Sequence, residues 1–377
     1  MSAAARKNTQ AAPVSATAEE DARWMAEALR LARRGEGKTR PNPPVGAVIV
    51  RDGRCVGRGW HHKAGGPHAE VYALRQAGDA ACGATLYVTL EPCSTFGRTP
   101  PCCRAVEAAG IARVVAAITD PNPKHAGRGF TLLRRAGLQV DVGCRAEEAR
   151  DLLAPFACHM LHGRPFFSLK LGLSIDGRIA DATRTSRWIT GPDARTEVQA
   201  MRRASDAILV GAGTVRHDNP SLWPRPANGR QPWRIIVARR GTLPTDATVF
   251  CDEHAGRTLL AVPAGWHPAC ARRLRAQGVE VLELPKTPAR FLPALATELG
   301  RRGILRVFCE GGGDLAASLV NARLVDELIC FVAPILVGGP VGATGSTTWP
   351  LAEAPGFVRV EARSVGRDFL LRYRPVQ

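Results

Sequence analysis

The sequence predicts an α/β protein of two domains. Strand-like apolar stretches alternate with helix-like periodic stretches along nearly the whole chain, the pattern of layered α/β folds. The alternation breaks once, at Gly163-Arg164-Pro165, and then begins again. A length of 377 residues suits two domains of ordinary size. The reading is a flexible, Ala-rich tail over 1–20, a first domain over 21–164 and a second over 165–377.

Thr17-x-x-Glu20 reads as a capping box. A helix follows, with Trp24, Met25, Ala28, Leu31 and Ala32 on one face and Gly35 at its end. "VGAVIVRDGRCVGRG" (45–59) is a hairpin around Asp52-Gly53. A helix runs from near His68 to Gly78, and "ATLYVTL" (84–90) is a buried strand. Cys102 to Ala109 is a short helix closed by Gly110, and "ARVVAAIT" (112–119) is another buried strand. A helix over 130–136 and the strand "LQVDVG" follow, which predicts a largely parallel core. Residues 145–164 read as helix and then loop, punctuated by Pro155. The strand "FFSLKLGLS" opens the second domain. Further strands fall near 206–211, 234–238, 258–262, 279–284 and 304–309, and helices fit 192–203, 289–301 and 314–322. The end, 325–339 and 357–374, is strand-rich with no intervening helix, which predicts a mixed sheet with flanking helices.

The chain is 45% hydrophobic and 23% charged, a globular profile. No apolar run approaches the roughly 20 residues of a membrane span. The first twenty residues lack the apolar core of a secretory signal. A cytoplasmic protein without membrane association is the expectation. The net charge of +17 is scattered in Arg pairs such as Arg134-Arg135 and Arg202-Arg203, not gathered in a basic tail. It suits phosphorylated substrates as well as nucleic acid, and nucleic acid is not the expected partner. Eleven unevenly spaced cysteines without a secretion signal are no disulfide framework.

Cys93, Cys102 and Cys103 stand apart because they lie in Pro-rich turn sequence. A catalytic zinc uses three protein ligands and keeps one position for water, and His68, Cys93 and Cys102 supply three. His68 and Cys102 open predicted helices, where the helix N-terminus favours a thiolate. Glu70, two residues beyond His68, reaches the same place without binding the metal. His68-Ala69-Glu70 followed by Pro92-Cys93 and Cys102 is the order of the zinc nucleobase deaminases, in which zinc lowers the pKa of water to about 7 and the Glu moves protons. A closed site with Cys103 as fourth ligand leaves Glu70 no task.

"PNPPVGAVIV", "GRGWHHKAGGPHAEVYAL", "LEPCSTFGRTPPC" and "ITDPNPKHAGRGF" resemble the deaminase half of the bifunctional riboflavin-biosynthesis deaminase/reductases. "KLGLSIDGRIA", "SRWIT", "DAILVGAGTVRHDNPSL" and "FCEGGGDLAASLV" are similar to the reductase half. The resemblance covers about 21–375 and keeps the family's motif order. It implies a cytidine-deaminase-like α/β/α domain followed by a dihydrofolate-reductase-like domain, one Zn²⁺ per deaminase domain, NADPH, and a small phosphoribosyl pyrimidine as substrate. A homo-oligomer built through the second domain is expected from the same source. By position, His68, Cys93 and Cys102 bind zinc, Glu70 is the proton shuttle, and Asn42, His61, Arg98, Asp120 and Asn122 contact the first substrate. Asn42 and Asn122 both sit in Pro-Asn-Pro, so turn chemistry explains them equally well. Gly172, Trp188, Thr214, Asp218, Gly311, Gly312 and Gly313 would contact NADPH. Lys170, Ser186, Arg202, Leu222, Arg225 and Glu310 would contact the second substrate. Lys170 and Glu310 are both candidates for the reductive proton, and the sequence does not choose between them. Arg203, beside Arg202, reads as a solvated helix face.

The chain departs from the family pattern at Thr95, where a His is usual, at Arg184, where a Gly is usual, and at Trp223-Pro224, where Thr-Val is usual. Two rivals remain: a nucleic-acid deaminase with an appended binding domain, and a non-catalytic zinc protein.

Overall fold

The computed structural model describes residues 17–96, 100–226 and 231–376. The chain divides into two compact units, Met1–Leu161 and His162–Gln377. Of the expected tail, 1–16 lie outside the described residues. Thr17 caps a helix with a complete capping box, so residues 17–20 belong to that helix start and not to a tail.

The first unit runs α1 (Ala18–Arg33), β1 (Gly46–Arg51), β2 (Arg54–Trp60), α2 (Ala69–Ala77), β3 (Thr85–Val88), α3 (Cys102–Ala108), β4 (Arg113–Ala116), α4 (Arg128–Arg135), β5 (Gln139–Val142) and α5 (Ala146–His162). Its sheet has the order β2-β1-β3-β4-β5. Strands β3, β4 and β5 are parallel, and β1 pairs antiparallel with both β2 and β3. The expected hairpin turns at Asp52 and Gly53, both with positive φ, as a tight two-residue turn requires. Ala47 and Ile49 face α2, α3 and α4, whereas Val48 and Val50 face α1 and α5. Period-two alternation thus buries both faces and gives α/β/α layers. Helix α2 lies close on β2: a Cβ on Gly57 or Gly59 would sit 2.2 or 2.1 Å from the carbonyl oxygens of Ala73 and Ala69. Those two glycines seat the helix that begins at the His68–Glu70 motif.

The loop expected after Pro155 is absent; α5 is helical to His162. Proline costs a helix one hydrogen bond. Here Leu152, Leu153, Phe156 and Cys158 are buried around it, and that burial outweighs the loss.

The second unit runs β6 (Phe166–Ser174), α6 (Pro192–Ala204), β7 (Ala207–Gly211), α7 (Ala212–Asp218), β8 (Trp233–Val237), α8 (Thr248–Cys251), β9 (Thr258–Pro263), α9 (Pro268–Ala276), β10 (Glu280–Leu284), α10 (Pro288–Arg301), β11 (Arg306–Cys309), α11 (Gly313–Asn321), β12 (Glu327–Ala333), β13 (Phe357–Val365) and β14 (Asp368–Pro375). The sheet order is β10-β9-β8-β7-β11-β6-β12-β14-β13. It is parallel through β12, and then β14 and β13 pair antiparallel. This is the expected mixed sheet with helices on both faces: α10 and α11 cover one, α8 and α9 the other. Helices α7, α8 and α9 were not expected. Helix α7 begins Ala-Gly-Thr after Gly211 and reads as a glycine loop; α9 buries only Ala271 and Leu274, too little for a periodic signal. No helix among the described residues is long and apolar enough to cross a membrane.

One buried network ties α1 to the sheet of the first unit. Asp21 accepts hydrogen bonds from Tyr87 Oη (2.7 Å) and from Arg113 Nη1 and Nη2 (2.9 and 2.7 Å). Arg113 Nε donates to Asp141 on β5 (2.7 Å). Removing Arg113 leaves the Asp21 carboxylate, whose side chain is only 13% exposed, without its cation. Arg113→Ala should therefore cost about 3 kcal/mol or more, read as a lower denaturant midpoint for the first unit; an unchanged midpoint contradicts this role.

Candidate active sites

In the first unit, His68 is the residue before α2, Cys102 the first residue of α3, and Cys93 lies on the segment leaving β3. His68 Nδ1 lies 3.2 Å from Cys102 Sγ and 3.5 Å from Cys93 Sγ. The ligand atoms of all three lie within 4.8 Å of one another. The Cys102 thiol, the Cys102 backbone N–H (3.2 Å) and His68 all donate to Cys93, which lowers its pKa and makes it the thiolate of the pair. Cys102 is raised in consequence, and the hydrogen bond to Cys93 raises His68. Two thiols and an imidazole form a donor set suited to zinc.

Glu70 is 3% exposed, and its Oε2 has no hydrogen-bond partner. Burial raises its pKa. A buried carboxylate oxygen left without a partner beside an N/S cluster is what a three-ligand zinc site with an open position needs, so the residues fit the metal. Cys103 is outside the cluster: its thiol donates to Pro92 O (3.2 Å) and, at 3.7 Å, to Gly129 O.

Asn42 and His61 lie at the same place. The His61 and His68 rings meet edge-on with centroids 5.3 Å apart. His61 is buried, not surface; its Nδ1 donates to Pro67 O (3.0 Å), and its Nε2 therefore accepts from Asn42 Nδ2 (3.1 Å). Burial lowers its pKa and favours the neutral ring. His62 stacks between Trp60 and Tyr72 instead. Asp120 and Asn122 form consecutive turns, Asp120 Oδ1 accepting from Asn122 N (2.8 Å) and Asn122 Oδ1 from Lys124 N (3.1 Å). Turn chemistry thus occupies one Asn122 atom, as its Pro-Asn-Pro setting allowed. Burial raises the Asp120 pKa, and nearby Glu91 and Cys93 add to it. Arg98 lies outside the described residues. Sequence reasoning passed over Glu91, a carboxylate directly after a buried strand, which accepts backbone N–H groups from the 120–130 loop.

In the second unit Glu310 and Gly311 to Gly313 follow the carboxyl end of β11, the place where open α/β sheets bind ligands, and Lys170 and Gly172 lie within the neighbouring β6. Leu169 of β6 registers with Cys309 of β11, so Lys170 and Glu310 follow side by side. Glu310 N–H donates to Leu209 O of β7 (3.0 Å). Arg202 on α6 grips both carboxylate oxygens of Glu310, at 2.5 and 3.0 Å. Arg202 Nε and Nη2 are thereby taken up by Glu310. Burial pulls the Lys170 pKa down while Glu310 pulls it up. Gly172 leaves room beside it: an added Cβ would lie 3.3 Å from Lys170 Nζ.

The three glycines divide the work. A Cβ on Gly313 would come within 2.2 Å of Gly345 N, and one on Gly311 within 2.6 Å of Leu315, so these two serve packing. Gly312, before α11, faces open space and suits close approach of a phosphate. Thr214 lies within α7; Ser186 Oγ donates to Asp218 Oδ1 (3.4 Å), and Trp188 is 65% exposed beside Arg195.

Two expectations are revised, and the departure at Arg184 finds its reason. Leu222 is buried in the apolar core with φ +58°, so only its backbone can meet a ligand. Arg203, half-buried, does more than face solvent: it donates to the Arg225 carbonyl at 2.8 Å through an exposed hydrogen bond. Arg184 has φ +68°, which explains why glycine is usual there and costs a non-glycine residue about 1 kcal/mol. Trp223 in turn stacks on His254 (3.9 Å between centroids) and lies over the fully buried Arg234, which Asp252 pairs with on both oxygens. The altered Trp223-Pro224 segment is thus anchored two residues before Arg225.

Fold and site define a zinc-dependent deaminase domain joined to a reductase domain. Residues 18–118 match the cytidine and deoxycytidylate deaminase zinc-binding region, and residues 165–370 match the RibD C-terminal domain. The riboflavin biosynthesis protein RibD of Escherichia coli K12 is 44% identical, over 93% of this chain and 98% of that protein. Acinetobacter baumannii RibD superposes with a TM-score of 0.84 at 38% identity, covering 96% of this chain and 100% of the other. A Thermotoga maritima diaminohydroxyphosphoribosylaminopyrimidine deaminase/5-amino-6-(5-phosphoribosylamino)uracil reductase also gives 0.84, at 34% identity over 95% and 99% of the two chains. The chain belongs to the RibD family, the bifunctional deaminase/reductases of riboflavin biosynthesis.

Metal analysis checks the ligand set. Cys102→Ser should lose the zinc, whereas Cys103→Ser should keep one zinc per chain; equal loss in both would make Cys103 a ligand.

Proposed function

We propose that residues 21–164 hydrolyse the 2-amino group of 2,5-diamino-6-(5-phosphoribosylamino)pyrimidin-4-one and residues 165–377 reduce the ribosyl group of the product to ribityl phosphate. The observation that carries the first half is the orphaned Glu70 oxygen beside His68, Cys93 and Cys102. Those three would hold the zinc, which when bound supplies a Lewis acid that activates water at neutral pH. Glu70 takes a proton from the attacking water and delivers it to the departing amino nitrogen. The C2–N bond breaks, a C2–O bond forms, and ammonia leaves. Asn42, held by His61, and Asp120 orient the pyrimidine, and Asn122 stiffens the turn beside them. Arg98 belongs to the phosphate end by resemblance.

In the second half, NADPH supplies the hydride. Gly312 and the start of α11 receive its phosphates, and Thr214, Asp218 and Trp188 flank it. The chain's own task is to align the open-chain C1′ carbonyl or imine and supply one proton. Arg202 occupies both oxygens of Glu310, which leaves Lys170, its pKa lowered by burial, as the better proton source. Ser186, Arg225 and the Leu222 backbone complete the substrate side. We further infer a homo-oligomeric, cytoplasmic enzyme. In support, the edge strand β13 and its neighbour β14 expose Val358, Val360 and Phe369.

Two variants separate the halves. Glu70→Gln should keep its zinc and its reductase activity but lose deamination by about 100-fold or more; retained ammonia release contradicts the mechanism. Arg202→Ala should lower kcat/KM for reduction by about 30-fold or more and spare deamination. An equal loss of deamination contradicts two separate sites.

A further inference from the structure

We propose that Glu91 is a positioning residue of the deaminase, fixing Asp120 relative to the zinc-ligand segment. The proposal rests on reading Asp120 as a substrate contact.

Glu91 stands two residues before Cys93 and is 5% exposed. Its backbone N–H donates to Ile118 O (3.0 Å), just past β4. Its side chain reaches over the connection from β4 to α4. Oε2 accepts from Asp120 N (3.0 Å) and Gly127 N (2.9 Å), and Oε1 from Gly129 N (2.7 Å) and, at 3.4 Å, from Phe130 N. One carboxylate thus gathers both ends of the loop that carries Asp120 and Asn122.

The same loop touches the ligand segment directly. A Cβ on Gly129 would lie 2.2 Å from Pro92 O. The Cys103 thiol bridges Pro92 O and Gly129 O, so the residue after the ligand Cys102 joins the clasp. Three segments meet there: the one bearing Cys93, the start of α3 bearing Cys102, and the loop bearing Asp120. Glu91 joins the first to the third.

The chemistry of the group fits this task. A carboxylate offers acceptors on both oxygens, and N–H groups face both. A glutamine in its place has one acceptor oxygen, and its NH₂ would confront two backbone N–H donors. Aspartate is one methylene too short to span the loop. The hydrogen bonds of the Glu91 side chain all go to backbone N–H groups of the loop that bears Asp120, so its effect on the substrate is read through Asp120.

A double-mutant cycle on the full-length zinc-loaded chain tests this, with 2,5-diamino-6-(5-phosphoribosylamino)pyrimidin-4-one as substrate. Asp120→Asn and Glu91→Gln should each raise KM about tenfold or more while kcat changes less. The double variant should be no worse than the weaker single, within about twofold, because both act on one contact. Zinc content and reduction of the deaminated uracil should stay at the parent level. Additive losses with an impaired Asp120→Asn, or loss of zinc in Glu91→Gln, overturn the proposal. An unaffected Asp120→Asn overturns the reading of Asp120, and the proposal with it. Should Glu91→Gln fail to fold, Gly129→Ala keeps the carboxylate but moves the same loop off Pro92 O and off Glu91, whose Cγ and Oε1 would each lie 3.1 Å from the new Cβ. It should show the same KM rise with zinc retained, and an unchanged KM overturns the proposal.

Discussion

His68 Nδ1, Cys93 Sγ and Cys102 Sγ come from three separate segments, and their approach to within 4.8 Å of one another is the constraint on which the first unit depends. Each segment is fixed by something outside the cluster. Gly57 and Gly59 let β2 lie against the backbone of α2, which sets His68 and Glu70. The Cys102 N–H bonds to Cys93 Sγ and aligns α3 with the strand exit. Glu91 and Gly129 bring the loop that bears Asp120 to the same exit. Glu70 is left buried with an unsatisfied oxygen, a cost that a purely structural metal site has no reason to carry.

The second unit solves a different problem by related means. Among its described residues it gathers no cluster of soft ligands; it places Glu310 and Gly312 just past the carboxyl end of β11, with Lys170 of the neighbouring β6 beside them. The Arg202–Glu310 pair sets a carboxylate against the guanidinium at this candidate site, and so keeps the local charge from becoming wholly positive. The departures at Arg184 and Trp223 are absorbed locally. Arg184 accepts a left-handed backbone, and Trp223 finds His254 and Arg234 to pack on. Neither alters the strand ends that carry the site.

Much of this was legible in the sequence because local patterns carried it. The capping box at Thr17, the turn at Asp52-Gly53 and the buried runs of β3, β4 and β8 are each written in a few adjacent residues. His68, Glu70, Cys93 and Cys102 were legible because their spacing is itself chemical. What was hidden depends on distant partners. Arg202 pairs with a residue 108 positions away, and Arg203 holds a carbonyl on another segment. Leu222 reads like any loop residue but fills the core. Helix α5 continues through Pro155 because tertiary burial overrides a local breaker. Glu91 gave only one faint sign, a charge at the end of an apolar strand.

On the proposed function, one chain carries two chemically independent sites, one requiring the metal and the other not. The most direct test is exhaustive removal of zinc from the full-length protein. Ammonia release from the diaminopyrimidine and NADPH oxidation on the already deaminated uracil are then followed in the same preparation. Deamination should disappear and return on adding back one equivalent of zinc, while reduction continues throughout. Deamination that survives without metal, or reduction that falls in parallel with it, would contradict the account.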